Sequence, residues 1–254
     1  MTRLVAALPM YDWPETRAET DALWVDLRDR MRKSGIPAPD SIVHRDADLP
    51  DAGPSASQDL DLQALWRRPD LLFAQTCWGP MGMGVAAHVA VLGQPDYSPF
   101  AGGDGPRYSS AILMRKGEGE AVEPPRSRDA SLPLERLCGA RFAFNGPDSM
   151  SGVLGLENDL EAAGEGLGVF EEALVTGSHR ASIRAVAAGE ADICAIDCRS
   201  WALALDHEPA ARDLVVVGWT GKRLGLPYVA SRHLPETTLD AVRDVLREAG
   251  AVVD

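Results

Sequence analysis

Ser149, Ser151, His179 and Asp197 are the residues of this chain whose types and spacing can do chemistry. Each stands just beyond a short apolar run, at 142–144, 173–175 and 193–196, where a parallel strand would hand over to a helix. A helix opening at Asp148-Ser149-Met150-Ser151-Gly152 presents backbone N–H groups that lack intrahelical partners, together with the positive end of the helix dipole. Phosphate-like oxygens suit such donors. Ser149 and Ser151 add hydroxyls, and Gly146, Pro147 and Gly152 let the backbone approach a ligand closely. His179, opening the next helix after Ser178, is read as a second donor to the same anion, with Asp197 arriving from the third strand. Two other readings stay open. Asp148, Ser149 and Ser178 are good helix N-caps, and Asp197 can cap the helix through Trp201. Ser, His and Asp are also the residue types of a hydrolytic triad. Against the triad, no G-x-S-x-G elbow surrounds either serine, and Asp148 would repel a developing oxyanion.

Asp197 also bears on the ligand, because a carboxylate close to a dianion is costly. Either it orients His179 and keeps it protonated, or it meets a cationic or hydroxyl end of the ligand. The second option favours a zwitterionic ligand, with Trp13, Trp78 or Trp201 offering a cation–π face.

The elements that must position these residues are legible along the chain. Residues 4–10 read as a first buried strand. Tyr11-Asp12-Trp13-Pro14-Glu15 reads as a helix start with Asp12 as cap, followed by an apolar face of Leu23, Leu27 and Met31 up to Gly35. Tyr11 and Trp13 sit where that strand ends, so both are also ligand candidates. Residues 41–44 read as a second strand, 46–61 as an acidic loop, 62–66 as a short helix and 71–74 as the next strand. Tyr108 to Met114 is a further strand, read as a first crossover, and 117–129 is a charged, proline-containing excursion. Residues 214–219 and 228–231 are strands, with the return crossover at 205–219. The last helix, 235–249, carries Leu239, Val242, Val245 and Leu246 on one face.

The segments NGPDSMSG and GSHRASIRAVAAGEADICAIDCRSW resemble the phosphate, phosphite and phosphonate substrate-binding proteins of ABC transporters. In these proteins a Ser-x-Ser-Gly turn, a Gly-x-His helix start and a strand-terminal Asp recur in this order. The YDWPET opening, the QTCW stretch and Tyr108-Ser109-Ser110 fit the same pattern, so the resemblance spans nearly the whole chain. It implies an α/β protein of the type II periplasmic-binding-protein fold: two lobes, each a mixed sheet flanked by helices, with a ligand cleft between them. The expected lobes are 1–107 plus 207–254 and 108–206. By resemblance, Gln75, Thr76 and Trp78 supply the first lobe's side of the pocket, and Tyr108 and Ser109 face the cleft at the hinge. The candidate site is therefore Ser149, Met150, Ser151, Gly152, His179, Asp197, Tyr108, Ser109, Thr76, Gln75, Trp78, Trp13, Asp12 and Trp201. The implied role is capture of a small oxyanion, phosphonate or phosphate-like, by lobe closure without turnover, for an ABC permease or, in a cytoplasmic relative, as a sensor. An enzyme on the same fold, such as a hydrolase or a relative of thiamine-pyrimidine synthesis, is the alternative.

Composition excludes other classes. The chain has 254 residues and a net charge of −13, and 45% of its residues are apolar, enough for a proper core. Nucleic acid is excluded, because neutralising its backbone requires clustered Lys and Arg. No run reaches the ~18 apolar residues of a membrane span. The apolar stretch before Pro9 is too short for a secretory signal. Either a signal has been removed and the protein is periplasmic, or it is cytoplasmic, which Met1 favours. The four cysteines form no CxxC pair, so a structural metal is not expected and no cofactor is called for. Cys138 and Cys194 read as buried small apolar residues.

Overall fold

In the computed structural model, which describes residues 3–253, the chain divides into two units. One comprises the residues up to Pro95 and from Leu226 onward; the other is Asp96–Gly225.

The first unit opens with β1 (Val5–Ala7), which is shorter than the expected 4–10 strand. Pro9 has no N–H to extend the ladder, and Pro9–Tyr11 turns into a 3-10 helix instead. Helix α1 (Arg17–Lys33) then starts with Thr16, not Asp12, at its N-cap. Asp12 is engaged elsewhere: Arg17 grips its carboxylate through Nε (3.1 Å) and Nη2 (2.9 Å), and His44 Nδ1 lies 2.9 Å from it. The buried face of α1 is Trp24, Leu27 and Met31, whereas Leu23 is exposed, so the apolar stripe lies one residue round from the expected one. Residues 41–44 form no strand; Val43 N–H makes a single ladder-like bond to Ala6 O, at 2.8 Å. There follow α2 (Leu62–Trp66), β2 (Leu71–Gln75), α3 (Trp78–Gly82) and β3 (Val89–Gly93).

The second unit begins with β4 (Gly103–Asp104), β5 (Arg107–Tyr108) and β6 (Ser110–Arg115). Helix α4 (Leu134–Leu137) precedes β7 (Arg141–Phe144), and Cys138 caps α4 in an exposed position, contrary to its expected burial; Cys194 is buried. A π-helical turn, Met150–Leu154, runs directly into α5 (Gly155–Ala162). Then come β8 (Glu172–Val175), α6 (His179–Ala187), β9 (Ile193–Asp197), α7 (Cys198–His207), β10 (Leu214–Trp219) and β11 (Arg223–Leu224). The main sheet has the order β10-β6-β9-β7-β8. Strands β9, β7 and β8 run parallel, while β6 is antiparallel to both β9 and β10. A small ribbon, β11-β5-β4, is antiparallel. Strand β9 is buried along its length, as its apolar sequence requires of a central strand, and β8 is the exposed edge.

The chain re-enters the first unit with β12 (Tyr228–Ser231) and α8 (Glu236–Glu248). Strand β12 lies between β2 and β3, antiparallel to both, and β1 pairs in parallel with β2. Leu239, Val242, Val245 and Leu246 of α8 are all buried, in the core that includes Trp24, Leu27 and Met31. Both units thus contain a mixed sheet with helices. The expected division put 96–107 and 207–225 in the first unit; they lie in the second, because β10 pairs along β6 from Leu214↔Arg115 to Trp219↔Ala111 and β11 pairs with β5.

Candidate functional site

Three consecutive strand ends build the site in the second unit. Because β7, β8 and β9 are parallel, their carboxyl ends lie at one edge of the sheet, where open α/β sheets receive ligands. Beyond β7, Ser149 takes an extended conformation and caps the π-helical turn, its Oγ accepting from Gly152 N–H at 3.0 Å. Beyond β8, Gly177 has φ +87°, a conformation that favours glycine, and Ser178 caps α6 by accepting from Ala181 N–H at 3.1 Å. His179 is therefore the first residue of α6. Strand β9 ends on Asp197, which caps α7 through Oδ1, accepting from Arg199 N–H (3.1 Å) and Ser200 N–H (2.9 Å). The capping roles read from the sequence for Ser149, Ser178 and Asp197 are all present.

These caps leave other atoms to face one another. Ser151 Oγ lies 2.8 Å from His179 Nε2, and Asp197 Oδ2 lies 3.4 Å from the same nitrogen. Ser110, which pairs with Asp197 across β6 and β9, donates from Oγ to Ser151 O at 2.9 Å. Ser109 is fully buried, its Oγ has no partner among the described residues, and its carbonyl accepts from Cys198 N–H at 3.2 Å. The amides of Met150 and Ser151 precede the first helical bond and have no backbone acceptor among the described residues. A methyl group on Gly152 would collide with Asn145 Oδ1 and sit 3.0 Å from Ser149 Oγ, so this turn requires glycine.

Burial pushes the His179 imidazole below its ordinary 6.5, and Asp197 opposes that shift only in part. The unfolded chain therefore binds more protons than the folded one as pH drops. The stability contributed by neutral His179 is complete above pH 6.5 and is lost as pH falls from 6.5 toward the folded value. The ligand-free protein is expected to lose melting temperature over that window, and His179→Asn to flatten that part of the profile. Identical profiles for the two proteins would show that His179 does not titrate this way.

The remaining sequence candidates fall into two groups. In the second unit, Tyr108 is buried, pairs with Gly103 and Arg223 in the ribbon and packs on Tyr97 with ring centroids 5.6 Å apart. Trp201 is buried one turn into α7. In the first unit, Gln75 ends β2, next in the sheet to β1, and Thr76 follows it. Gln75 Nε2 donates to Leu226 O at 3.2 Å, so its amide serves the fold, while Thr76 Oγ1 is buried without a partner among the described residues. Trp78 opens α3, half-buried against the Val5–Leu71 cluster, and Trp13 is half-buried in the turn after β1. The Asp12 carboxylate is already filled by Arg17 and His44. Sequence reasoning missed Asn145, Ser110 and Arg223. Ser110 and Asn145 stand inside the quoted stretches Tyr108-Ser109-Ser110 and NGPDSMSG without being singled out there, but Arg223 reaches Asp159 across 64 residues and carries no local signal.

Among the described residues no group of three or more His, Cys, Asp or Glu side chains could hold a metal, and no helix is long and apolar enough to cross a membrane.

The family described as ABC transporter, phosphonate, periplasmic substrate-binding protein matches residues 83–251, more than half of the chain. Among solved structures, the chain is similar to PhnD1 from Prochlorococcus marinus in complex with methylphosphonate: 18% identity, TM-score 0.65, covering 96% of this chain and 84% of that one. It is also similar to a chloride-bound protein of Xanthomonas citri, at 16% identity and TM-score 0.64, covering 98% and 84%. A binding protein component of an ABC phosphonate transporter from Pseudomonas aeruginosa gives 17% identity and TM-score 0.62, covering 100% and 81%. No curated protein matches the sequence.

Proposed function

Because this chain belongs to the family of phosphonate substrate-binding proteins of ABC transporters and has the type II periplasmic-binding-protein fold, we propose that it captures a small phosphonate-like oxyanion at the Ser151–His179 edge of its second unit, without turnover. The observation that carries this reading is the 2.8 Å approach of Ser151 Oγ to His179 Nε2 where two helices begin. The amides of Met150 and Ser151 and the hydroxyls of Ser151 and Ser109 supply donors for the anion's oxygens, and His179 supplies another when an anion restores its proton. Methylphosphonate is the first ligand to test, since the Prochlorococcus marinus protein binds it. A permease is the corresponding partner.

The geometry disfavours a hydrolase. A triad needs the carboxylate on one imidazole nitrogen and the serine on the other. Here both face Nε2, Nδ1 is buried without a partner among the described residues, and Asp197 Oδ1 is committed to the α7 cap.

Thermal unfolding against phosphate, phosphite, methylphosphonate, aminoethylphosphonate and sulfonates tests the proposal. A ligand present at about a hundred times its Kd adds about 2.7 kcal/mol, a clear rise in melting temperature. Stabilisation by at least one oxyanion is expected; none by any of them overturns binding. Labelling by a fluorophosphonate probe that disappears in Ser151→Ala would favour the hydrolase instead.

A further inference from the structure

Resting on the oxyanion reading of Ser151 and His179, we infer that Arg223 is a positioning residue for the turn that carries Ser151. That turn is π-helical over Met150–Leu154, a wider and weaker coil than the α-helix it feeds, so something outside it must hold its shape. Two neighbours do so. Ser110 Oγ takes the Ser151 carbonyl on one side. On the other side, the Arg223 guanidinium lies against the first residue of α5, where a Cβ on Gly155 would collide with Nη1 and come within 2.7 Å of both Arg223 Cζ and Met150 O. The same absent Cβ brings together the guanidinium and the carbonyl that starts the turn. Gly155 is therefore the seat into which Arg223 fits.

The guanidinium is locked in that seat. Its Nη2 donates to Asp159 Oδ2 at 2.7 Å and its Nε to Gly221 O at 3.1 Å, while Gly221 N–H donates to the same Asp159 oxygen at 2.8 Å. Arg223 and Asp159 are both largely buried, with side-chain exposures of 18% and 16%. Nη1 has no hydrogen-bond partner among the described residues although it is buried. A buried cation with an unsatisfied donor is costly, and a residue kept only for packing would not need one. Arg223 also pairs with Tyr108 in the β5–β11 ribbon, two residues before Ser110 at the start of β6, so the ribbon and the main sheet each supply one brace of the turn. Nothing places Arg223 against the ligand itself; it acts through the turn.

Methylphosphonate affinity by calorimetry, together with the imidazole NMR signals of His179 in the ligand-free protein, tests the inference on Arg223→Met, Arg223→Lys and Gly155→Ala. Displacing the turn separates Ser151 from His179. Arg223→Met is therefore expected to weaken binding about ten-fold or more and to shift the His179 signals. Gly155→Ala should do the same from the helix side. Arg223→Lys keeps the charge but not the planar fork and should recover only part of the affinity. His179 signals and affinity unchanged in folded Arg223→Met, or in Gly155→Ala should the first variant not fold, overturn the inference. The NMR readout needs no ligand. If the wild-type protein binds none of the oxyanions, the proposed function fails, while the His179 signals still decide whether Arg223 positions the turn.

Discussion

Gly152→Val is expected to abolish methylphosphonate binding and to lower stability by about 2–4 kcal/mol, a large share of the roughly 5–15 kcal/mol that holds a domain together. The first added carbon already collides with Asn145 Oδ1 and lies 3.0 Å from Ser149 Oγ. The two further methyls of valine must displace Asn145, whose carbonyl accepts from Gly177 N–H at 3.0 Å and so ties this turn to the one before His179. Pushing Ser149 aside also releases the Gly152 amide from its cap, and a lost serine cap costs about 0.5–2 kcal/mol. Urea unfolding and calorimetry with methylphosphonate measure both effects. A variant within about 1 kcal/mol of wild type that still binds would show that the turn yields easily and that its backbone is not the anion's seat.

His179→Ala separates binding from folding. Hydrogen bonds to charged groups contribute about 1.5–3 kcal/mol, so the variant should bind roughly ten- to a hundred-fold more weakly. Stability should change little, because the truncation removes a largely buried ring whose Nδ1 has no partner among the described residues, offsetting part of the lost packing. Calorimetry at pH 7 reads the first effect and thermal unfolding the second. Affinity within two-fold of wild type would remove His179 from the site.

Much of this could be read before any coordinates. The strand ends that deliver Ser149, His179 and Asp197 follow from apolar runs and polar turns, because period and capping chemistry are local. Helix α8 shows the same legibility, its four expected core residues all being buried. What was not legible depended on distant partners. Asp12, followed by Pro14 and Glu15, carried a local helix-start signal, yet Arg17 and His44 take its carboxylate and the helix begins later. Resemblance makes Gln75 a ligand candidate, but its amide donates to Leu226 O, a partner 151 residues away. The unit boundary moved because antiparallel pairing of Leu214–Trp219 with Ser110–Arg115 leaves no trace in either strand alone. The residue type of Cys138 points to the core, but it follows a single turn of helix into solvent. Arg223 illustrates the same limit at the site, since its seat exists only because Gly155 lacks a side chain.

The central claim is that the Ser151 amide and hydroxyl and the His179 imidazole hold one oxyanion together. A crystal structure of the protein grown with methylphosphonate tests it most directly. The phosphonate oxygens are expected within hydrogen-bonding distance of the Ser151 N–H and the His179 ring; a phosphonate bound elsewhere, with both groups turned away from it, would contradict the account.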